Sequence, residues 1–203
     1  MAALAGGGVT YPTRERIVDE AMRLFGQNGF RGTSVVQIEK AAGLSPGAGG
    51  LYHHFASKDD VLMEGVRRHL ARLDALRQLR GVLTNLGDLR AELTVVARFS
   101  LAEVDSEAQL FQILASEARR RPDLLSDAAE QLVTATYAGF ADWLRQTVKP
   151  RRLAPDRART IALLAMGSLL SGRILQHVMG VNADVDDEAL IAVWVDMVVA
   201  AIG

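Results

Sequence analysis

The 203-residue chain contains no cysteine, which excludes disulfide bonds, thiolate metal ligands and cysteine nucleophiles. It also lacks the alternating β-branched runs and Asn-Gly or Asp-Gly turns that indicate strands. Its most apolar run, IALLAMGSLLSG, lies between Arg159 and Arg173 and falls short of the ~20 residues that cross a bilayer. The start, MAALAGGGVT, lacks the basic and long apolar regions of a signal peptide. We therefore expect a soluble, cytoplasmic, all-α protein with no membrane partner.

The composition allows a large core, and the charge divides the chain into two parts. Hydrophobic residues make up 49% of the sequence and charged residues 23%. The formal net charge of −1 combines a net +3 over residues 1–80 with a net −4 over residues 81–203. This asymmetry suggests two different tasks, although +3 alone is weak support for nucleic-acid binding.

Helical spacing and capping signals predict the elements and their boundaries. A first helix over 13–28 stops at Gly29, and Ser34 with Gln37 forms a capping box for a short second helix. A second capping box, SKDD, starts a long helix that ends in a break at 81–88. Five further helices follow at about 89–104, 106–121, 124–148, 155–179 and 186–202. The predicted domains are a leader (1–12), a small helical domain (13–58) and a larger helical domain (59–203).

The stretch SPGAGGLYHHFASKDD, residues 45–60, raises three possibilities for its chemistry. A dinucleotide-binding loop is excluded because Tyr52 takes the third glycine position and no strand precedes; the Gly-Lys-Ser/Thr of a triphosphate loop is missing too. A metal site is disfavoured because adjacent His53 and His54 diverge by about 100° on a helix. We expect no metal and no other cofactor.

The third possibility is a helix-turn-helix, in which the second short helix enters the major groove of DNA. A helix ending at Gly29, a short capped helix, the turn AGLS and a second short helix ending near Phe55 have this layout. Hydroxyl and ammonium groups that bind phosphate lie at successive helix ends around it. These groups belong to Thr33, Ser34, Tyr52 and Lys58.

Residues 13–62 resemble the DNA-binding region of the TetR family of bacterial transcriptional regulators. The similarity rests on LFGQNGF, on TSVVQIEKAAGLS and above all on LYHHFASKDDVL. The resemblance implies an N-terminal three-helix DNA-binding domain, a larger C-terminal helical domain for ligand binding and dimerisation, and backbone-phosphate contacts by Tyr52 and Lys58. It covers the remainder of the chain only in length, helical content and layout.

One departure from the commoner family pattern concerns the recognition helix. Five residues, PGAGG, separate Ser45 from Leu51, where the commoner pattern has three. Each glycine inside a helix costs up to ~1 kcal/mol relative to alanine. We therefore expect a recognition helix that is loose or that orders fully on DNA. It leaves few side chains for reading bases, namely Ser45, His53 and Gln37.

The C-terminal helices supply candidates for an effector pocket and a dimer interface. Scattered aromatic and polar side chains suggest a pocket formed by Phe99, Phe111, Glu117, Tyr137, Phe140, Met166 and His177. The last helix is apolar nearly all round, so we expect it to be buried on every side. The resemblance implies that the last two helices form a two-fold four-helix interface through Leu163, Gly167, Leu170, Ile174, Leu190, Trp194, Met197 and Val198; a core helix of a monomer is the alternative.

The predicted function is therefore a homodimeric transcriptional regulator, not an enzyme. We expect a repressor that binds a palindromic double-stranded operator and is released by a small-molecule effector. Two alternatives stay open at this point: a helical ligand-binding protein that does not bind DNA, and an all-α metal-dependent hydrolase that uses His53 and His54.

Overall fold

The computed structural model describes residues 12–83, 87–148 and 153–203, and the elements in these ranges are all helical. The expected leader therefore lies almost entirely outside the described residues, as does part of the break predicted at 81–88. The helices are α1 (Thr13–Gly32), α2 (Val35–Ala41), a one-turn 3₁₀ helix (Gly50–His53), α3 (Lys58–Leu83), α4 (Leu89–Ser106), α5 (Ala108–Glu117), α6 (Pro122–Thr147), α7 (Pro155–Met179) and α8 (Asp187–Ile202).

The chain divides into two compact units, residues 1–65 and 66–203, and the division falls within α3. The larger unit holds the greater share of the hydrophobic core. The domain limits expected from the sequence, 13–58 and 59–203, stay a prediction.

In the first unit, α1 packs against α2 through an apolar face that includes Ile17, Ala21 and Phe25. Gly29 interrupts α1 with φ 73° and ψ 163°, a backbone conformation that favours glycine, at the residue where the sequence predicts a helix stop. The side chain of Met22 packs directly against the backbone of Gly65, where a Cβ would lie 2.2 Å from the methionine sulfur. An alanine at this position would displace the methionine side chain.

In the second unit, α7 packs against α4, α5, α6 and α8, and the largest buried side chain of the core is Trp194. Its indole N–H donates to the carbonyl oxygen of Ala165 at 2.7 Å, so the buried polar group is satisfied. Asp88 and Asp186 cap the N-termini of α4 and α8, and Gly180 ends α7 with a φ of 70°. The five helices predicted for this part of the chain are present with ends shifted by a few residues.

One described helix, α7, is long and apolar enough to cross a membrane by length and composition alone. A core helix of a soluble protein passes the same test, and α7 packs against four neighbouring helices. The finding is therefore weak support for a membrane span.

Candidate nucleic-acid interface

The N-terminus of α2 is closed by the capping box that the sequence predicts. The backbone N–H of Gln37 donates to the Ser34 hydroxyl at 3.2 Å, and the Ser34 N–H donates to Gln37 Oε1 at 2.7 Å. Both side chains are nevertheless exposed to solvent. Their expected contacts, Ser34 with phosphate and Gln37 with a base edge, stay predictions.

Thr33 lies in the interior, which corrects the expectation that its hydroxyl binds phosphate. The residue is fully buried. Its Oγ1 lies 2.9 Å from the carbonyl oxygen of Gly29 and 3.1 Å from that of Leu24, where it donates within the fold. Because a buried hydroxyl with acceptors in the chain is not presented to a ligand, we assign Thr33 to the junction of α1 and α2.

Lys58 also contacts this junction. Its Nζ donates to the carbonyl oxygens of Phe30 and Thr33, each at 2.8 Å, and lies 4.1 Å from the centre of the Phe30 ring. These carbonyls belong to the end of α1, where backbone acceptors lose their helical partners. Lys58 therefore has a structural role that the sequence did not reveal, and its contact with phosphate stays a prediction.

The segment expected to form the recognition helix is a turn followed by the 3₁₀ helix. Gly47 and Gly49 have φ values of 77° and 76°, a left-handed conformation that a right-handed helix cannot contain. Only Gly50–His53 is helical, as a single 3₁₀ turn. The second short helix expected to end near Phe55 is thus present only as one 3₁₀ turn, because the two glycines with positive φ prevent an earlier helical turn. That it orders fully on DNA stays a prediction.

A buried carboxylate holds this glycine-rich segment. Glu39, on α2, is fully buried. Its Oε2 accepts from the backbone N–H of Gly47 at 2.7 Å, and its Oε1 accepts from that of Leu51 at 3.1 Å. Sequence reasoning missed this residue because its partners lie 8 and 12 positions away, and a glutamate in a short helix normally faces solvent.

The side chains that the segment presents to solvent match most of the remaining sequence candidates. Ser45, Tyr52 and His53 are exposed, Tyr52 to 57%. Two further cations, Arg31 and Lys40, are exposed in the last turns of α1 and α2 and have no partner among the described residues. They were missed because isolated basic residues carry no motif, yet exposed cations of this kind bind phosphate.

The alternative metal site finds no support in the described ranges. They contain no group of three or more histidine, aspartate and glutamate side chains placed to hold an ion. His53 and His54 are both exposed.

The sequence profile of the family described as "Bacterial regulatory proteins, tetR family" matches residues 17–64, the part of the chain that carries this surface. Residues 17–64 therefore carry the DNA-binding region of the TetR family, as the resemblance implied. The chain is accordingly a DNA-binding transcriptional regulator.

Curated relatives extend the similarity along the chain. The HTH-type transcriptional regulator UidR of Escherichia coli K12 is 26% identical over 180 residues, covering 88% of this chain and 84% of UidR. The HTH-type transcriptional repressor Rv1474c of Mycobacterium tuberculosis is 25% identical over 185 residues, covering 91% of this chain and 90% of the relative. These relatives are regulators and not enzymes.

Solved structures share the fold. A TetR-family regulator from Mesorhizobium loti superposes with a TM-score of 0.69 at 20% identity, covering 93% of this chain and 94% of that one. The fatty acid degradation regulator FadR from Bacillus halodurans superposes with a TM-score of 0.66 at 16% identity, covering 94% and 96%. At these identities the likeness establishes the helical TetR-type architecture and nothing about ligands.

The C-terminal unit contains a small, partly enclosed cavity. Its volume of about 20 Å³ has room for about one water molecule. Three predicted pocket residues, Phe111, Phe140 and Met166, lie in its wall. The charged residues of the wall are Arg77 and Glu103, with Arg77 Nε 4.0 Å from Glu103 Oε2, and neither was among the sequence candidates.

The other four pocket candidates do not line this cavity. Glu117 is buried with Arg120 Nη1 3.7 Å from its Oε1, and His177 Nε2 lies 2.7 Å from Asp105 Oδ1 in a cluster near the surface. Phe99 and Tyr137 are partly buried elsewhere in the unit. Glu117 and His177 each have an ionic partner away from this cavity, and their role as polar groups of an effector pocket stays a prediction.

The predicted interface residues fall into three classes by exposure. Leu163 and Met197 are exposed to 55% and 53%, whereas Leu170, Trp194 and Val198 are buried in the core of the same chain. The remaining candidates, Gly167, Ile174 and Leu190, are partly buried.

Within a single chain α8 is not buried on every side, and its expected burial in a dimer stays a prediction. Val193 is exposed to 60%, and Met197, one turn further along, lies on the same helix face. A neighbouring exposed pair on α7, Leu163 and Leu164, is apolar as well. The two helices therefore leave an apolar surface in solvent.

A buried ionic cluster joins α3 to the corner between α4 and α5. Glu107 and His69 are both buried and in contact through Oε2 and Nδ1, and Arg72 Nε lies 3.0 Å from Glu107 Oε1. Burial by itself raises the pKa of Glu107, but hydrogen bonds and charge from His69 and Arg72 outweigh it and lower the pKa below its usual 4.5. Glu107 is therefore held as a carboxylate.

Proposed function

We propose that this regulator is a homodimeric, cytoplasmic repressor that binds a near-palindromic operator and leaves it when a small molecule enlarges and fills the C-terminal cavity. The observation that carries the proposal is the pairing of an exposed, polar recognition segment in one unit with a cavity and an exposed apolar face in the other. A dimer places two recognition segments in successive major grooves, about 34–36 Å apart or at a larger spacing that the dimer imposes.

On the DNA side, the contacts divide into those that position and those that specify. Tyr52, Ser34 and the two exposed cations Arg31 and Lys40 bind backbone phosphates, which fixes the register of the protein on the duplex. Lys58 is a candidate for the same role, as the resemblance implies.

Base edges are read by the exposed side chains of the recognition segment and its neighbour helix. Ser45, His53 and Gln37 are polar and exposed. Three side chains are too few to contact every base pair of an operator half-site. We therefore expect discrimination at a few base pairs in each half-site.

The apolar surface of α7 and α8 supports the dimer. Leu164 and Val193 are exposed to 68% and 60%, and large apolar patches on soluble proteins mark interaction sites. A two-fold interface places the same patch on both partners, so a self-complementary apolar surface suits it. Leu163 and Met197 from the predicted set belong to the exposed part.

The effector is expected to be an apolar molecule with one polar or charged group. Apolar side chains form most of the cavity wall, and Arg77 with Glu103 provides the charged partners. Because the resting cavity holds about one water, the effector binds a more open form and shifts the population toward it. It acts on DNA binding only through its different affinity for the two forms.

Gel-shift or anisotropy measurements with the DNA upstream of the gene test the operator, and sedimentation tests the dimer. Failure to bind any such fragment, with the protein folded and dimeric, would refute the proposal and favour a ligand-binding protein without DNA binding. A compound screen for release then identifies effectors. Arg77→Met should weaken the response to a charged effector, whereas Arg119→Met, at an exposed position without a partner among the described residues, should not.

A further inference from the structure

The glycine-rich recognition segment has lost the hydrogen bonds that normally hold such an element. In an α-helix, each backbone N–H from the fifth residue onward donates to a carbonyl four residues earlier. Here the left-handed Gly47 and Gly49 prevent that pattern, and Gly50–His53 forms only a single 3₁₀ turn. Something outside the segment has to satisfy its buried N–H groups.

Glu39 takes this role with both oxygens of one carboxylate. Oε2 accepts from Gly47 at the start of the segment and Oε1 from Leu51 near its end, at 2.7 and 3.1 Å. The carboxylate thus joins two amides four residues apart, the separation of one helical turn. Glu39 and Leu51 are both fully buried, so water does not compete for the Leu51 amide, whereas the hydrogen bond to the Gly47 amide is partly buried.

The backbone of Glu39 closes the preceding turn as well. Its carbonyl oxygen accepts from the N–H of Leu44 at 2.8 Å, across the left-handed Gly43. Leu44 in turn lies against the segment, since a Cβ on Gly50 would be 3.3 Å from Leu44 Cδ1. One residue of α2 therefore fixes both the turn and the segment that follows it.

We infer that Glu39 is a specificity-determining positioning residue, which sets the shape of the recognition segment before DNA arrives. It touches no DNA itself, because it is buried. It acts through Ser45, Tyr52 and His53, whose backbone it holds in place. This inference rests on the proposed DNA contacts of those three side chains.

Glu39→Gln tests the inference with little change of shape. The amide keeps one acceptor oxygen but turns an NH₂ group toward the other backbone N–H, so one buried donor loses its partner. Asp19→Asn is the matched control, because Asp19 is an exposed carboxylate of α1 without a partner among the described residues. Both variants remove one negative charge from the first unit.

The first readout is amide hydrogen exchange by NMR without DNA. In the wild-type protein the amides of Gly47 and Leu51 should be protected. In Glu39→Gln at least one of them should exchange about ten- to a hundredfold faster, the factor expected for loss of a charged hydrogen bond. The amide of Leu62 in α3 and both amides in Asp19→Asn should be unchanged.

The second readout is DNA affinity, with a duplex selected by the wild-type protein from a random-sequence pool and an unrelated duplex of equal length. Glu39→Gln should lower affinity for the selected duplex about ten- to a hundredfold and for the unrelated duplex by much less, with the same salt dependence, because no phosphate contact is lost. Asp19→Asn should keep the wild-type ratio.

Unchanged exchange at Gly47 and Leu51 in Glu39→Gln would overturn the inference, and so would faster exchange with an unchanged affinity ratio. An equal loss of affinity for both duplexes would also overturn it, since that result indicates general destabilisation. If the wild-type protein enriches no sequence from the pool, the proposed function fails, and the exchange data alone still decide whether Glu39 shapes the segment.

Discussion

Replacing Lys58 by alanine should loosen the junction between α1 and α2 as well as weaken DNA binding. The Nζ donates to the carbonyl oxygens of Phe30 and Thr33 at 2.8 Å. Hydrogen bonds to charged groups contribute about 1.5–3 kcal/mol each when buried. Because Lys58 is only partly buried, we reduce the sum of the two to about 2 kcal/mol.

Amide exchange is the appropriate assay, because a loss of about 2 kcal/mol in local stability speeds exchange about 30-fold. The amides of α1 and α2 should show this change. The two tryptophans, Trp143 and Trp194, lie in the C-terminal unit, so their fluorescence reports whether that unit stays intact. We expect the fluorescence to be unchanged.

Lys40→Ala separates the structural role from the electrostatic one. Lys40 is exposed and has no partner among the described residues, so its loss should leave exchange unchanged. It should flatten the salt dependence of DNA binding by about 0.9 per phosphate contact in each protomer. Lys58→Ala should weaken binding about equally across sequences and flatten the slope as well. If exchange in α1 and α2 stays at the wild-type rate in Lys58→Ala, the structural assignment is refuted.

Three further predictions concern other parts of the molecule. Gly47→Ala should lower the free energy of unfolding of the first unit by about 1 kcal/mol, because alanine disfavours a φ of 77°; denaturant titration followed by circular dichroism measures it, and no loss would contradict the left-handed turn. Glu107→Gln should destabilise the protein most above pH 4.5: the lowered pKa gives a stabilisation that is fully present above that value and is lost as the pH falls through the lowered pKa. The difference in melting temperature between the variant and the wild type should therefore shrink in acid, and a difference that does not change with pH would contradict this. Met197→Asp places a charge on the exposed apolar face and should convert the dimer to monomers, as measured by sedimentation. An unchanged dimer would contradict the placement of the interface on this face.

Local signals in the sequence predicted the helices well because their causes are local. The Ser34 and Gln37 capping box and the interruption of α1 at Gly29 depend only on residues within one turn. The five C-terminal helices follow from apolar spacing bounded by proline, glycine and aspartate. For these helices, residues close in the sequence determine where each helix begins and ends.

Side-chain direction could not be predicted in the same way. Thr33 and Lys58 were both expected to face phosphate, but the hydroxyl of Thr33 is buried against α1 carbonyls and Lys58 donates to two more. A helix end offers unpaired carbonyls to any nearby donor, and only the packing of three helices decides which donor reaches them. The role of Glu39 was missed for the same reason, since its partners come from a different segment.

The apolar pattern of α8 shows a second limit of local reasoning. A helix that is apolar nearly all round predicts burial on every side, and in the single chain Trp194 and Val198 are indeed buried. Val193 and Met197 are not, although their residue types are equally apolar. The sequence pattern cannot separate the core of one chain from a surface that a second copy covers, because both exclude water by the same means.

The first unit uses charged side chains where a regular helix-turn-helix uses helical hydrogen bonds. Glu39 satisfies amides of the recognition segment, and Lys58 satisfies carbonyls at the end of α1. A segment held in this way needs few side chains of its own, so glycine can occupy three of its positions and the backbone can approach the groove closely. The consequence is that few side chains of the segment can contact base edges. We therefore expect strong discrimination at the few base pairs that face Ser45 and His53, about 1–3 kcal/mol each, and elsewhere a preference set by the shape of the DNA.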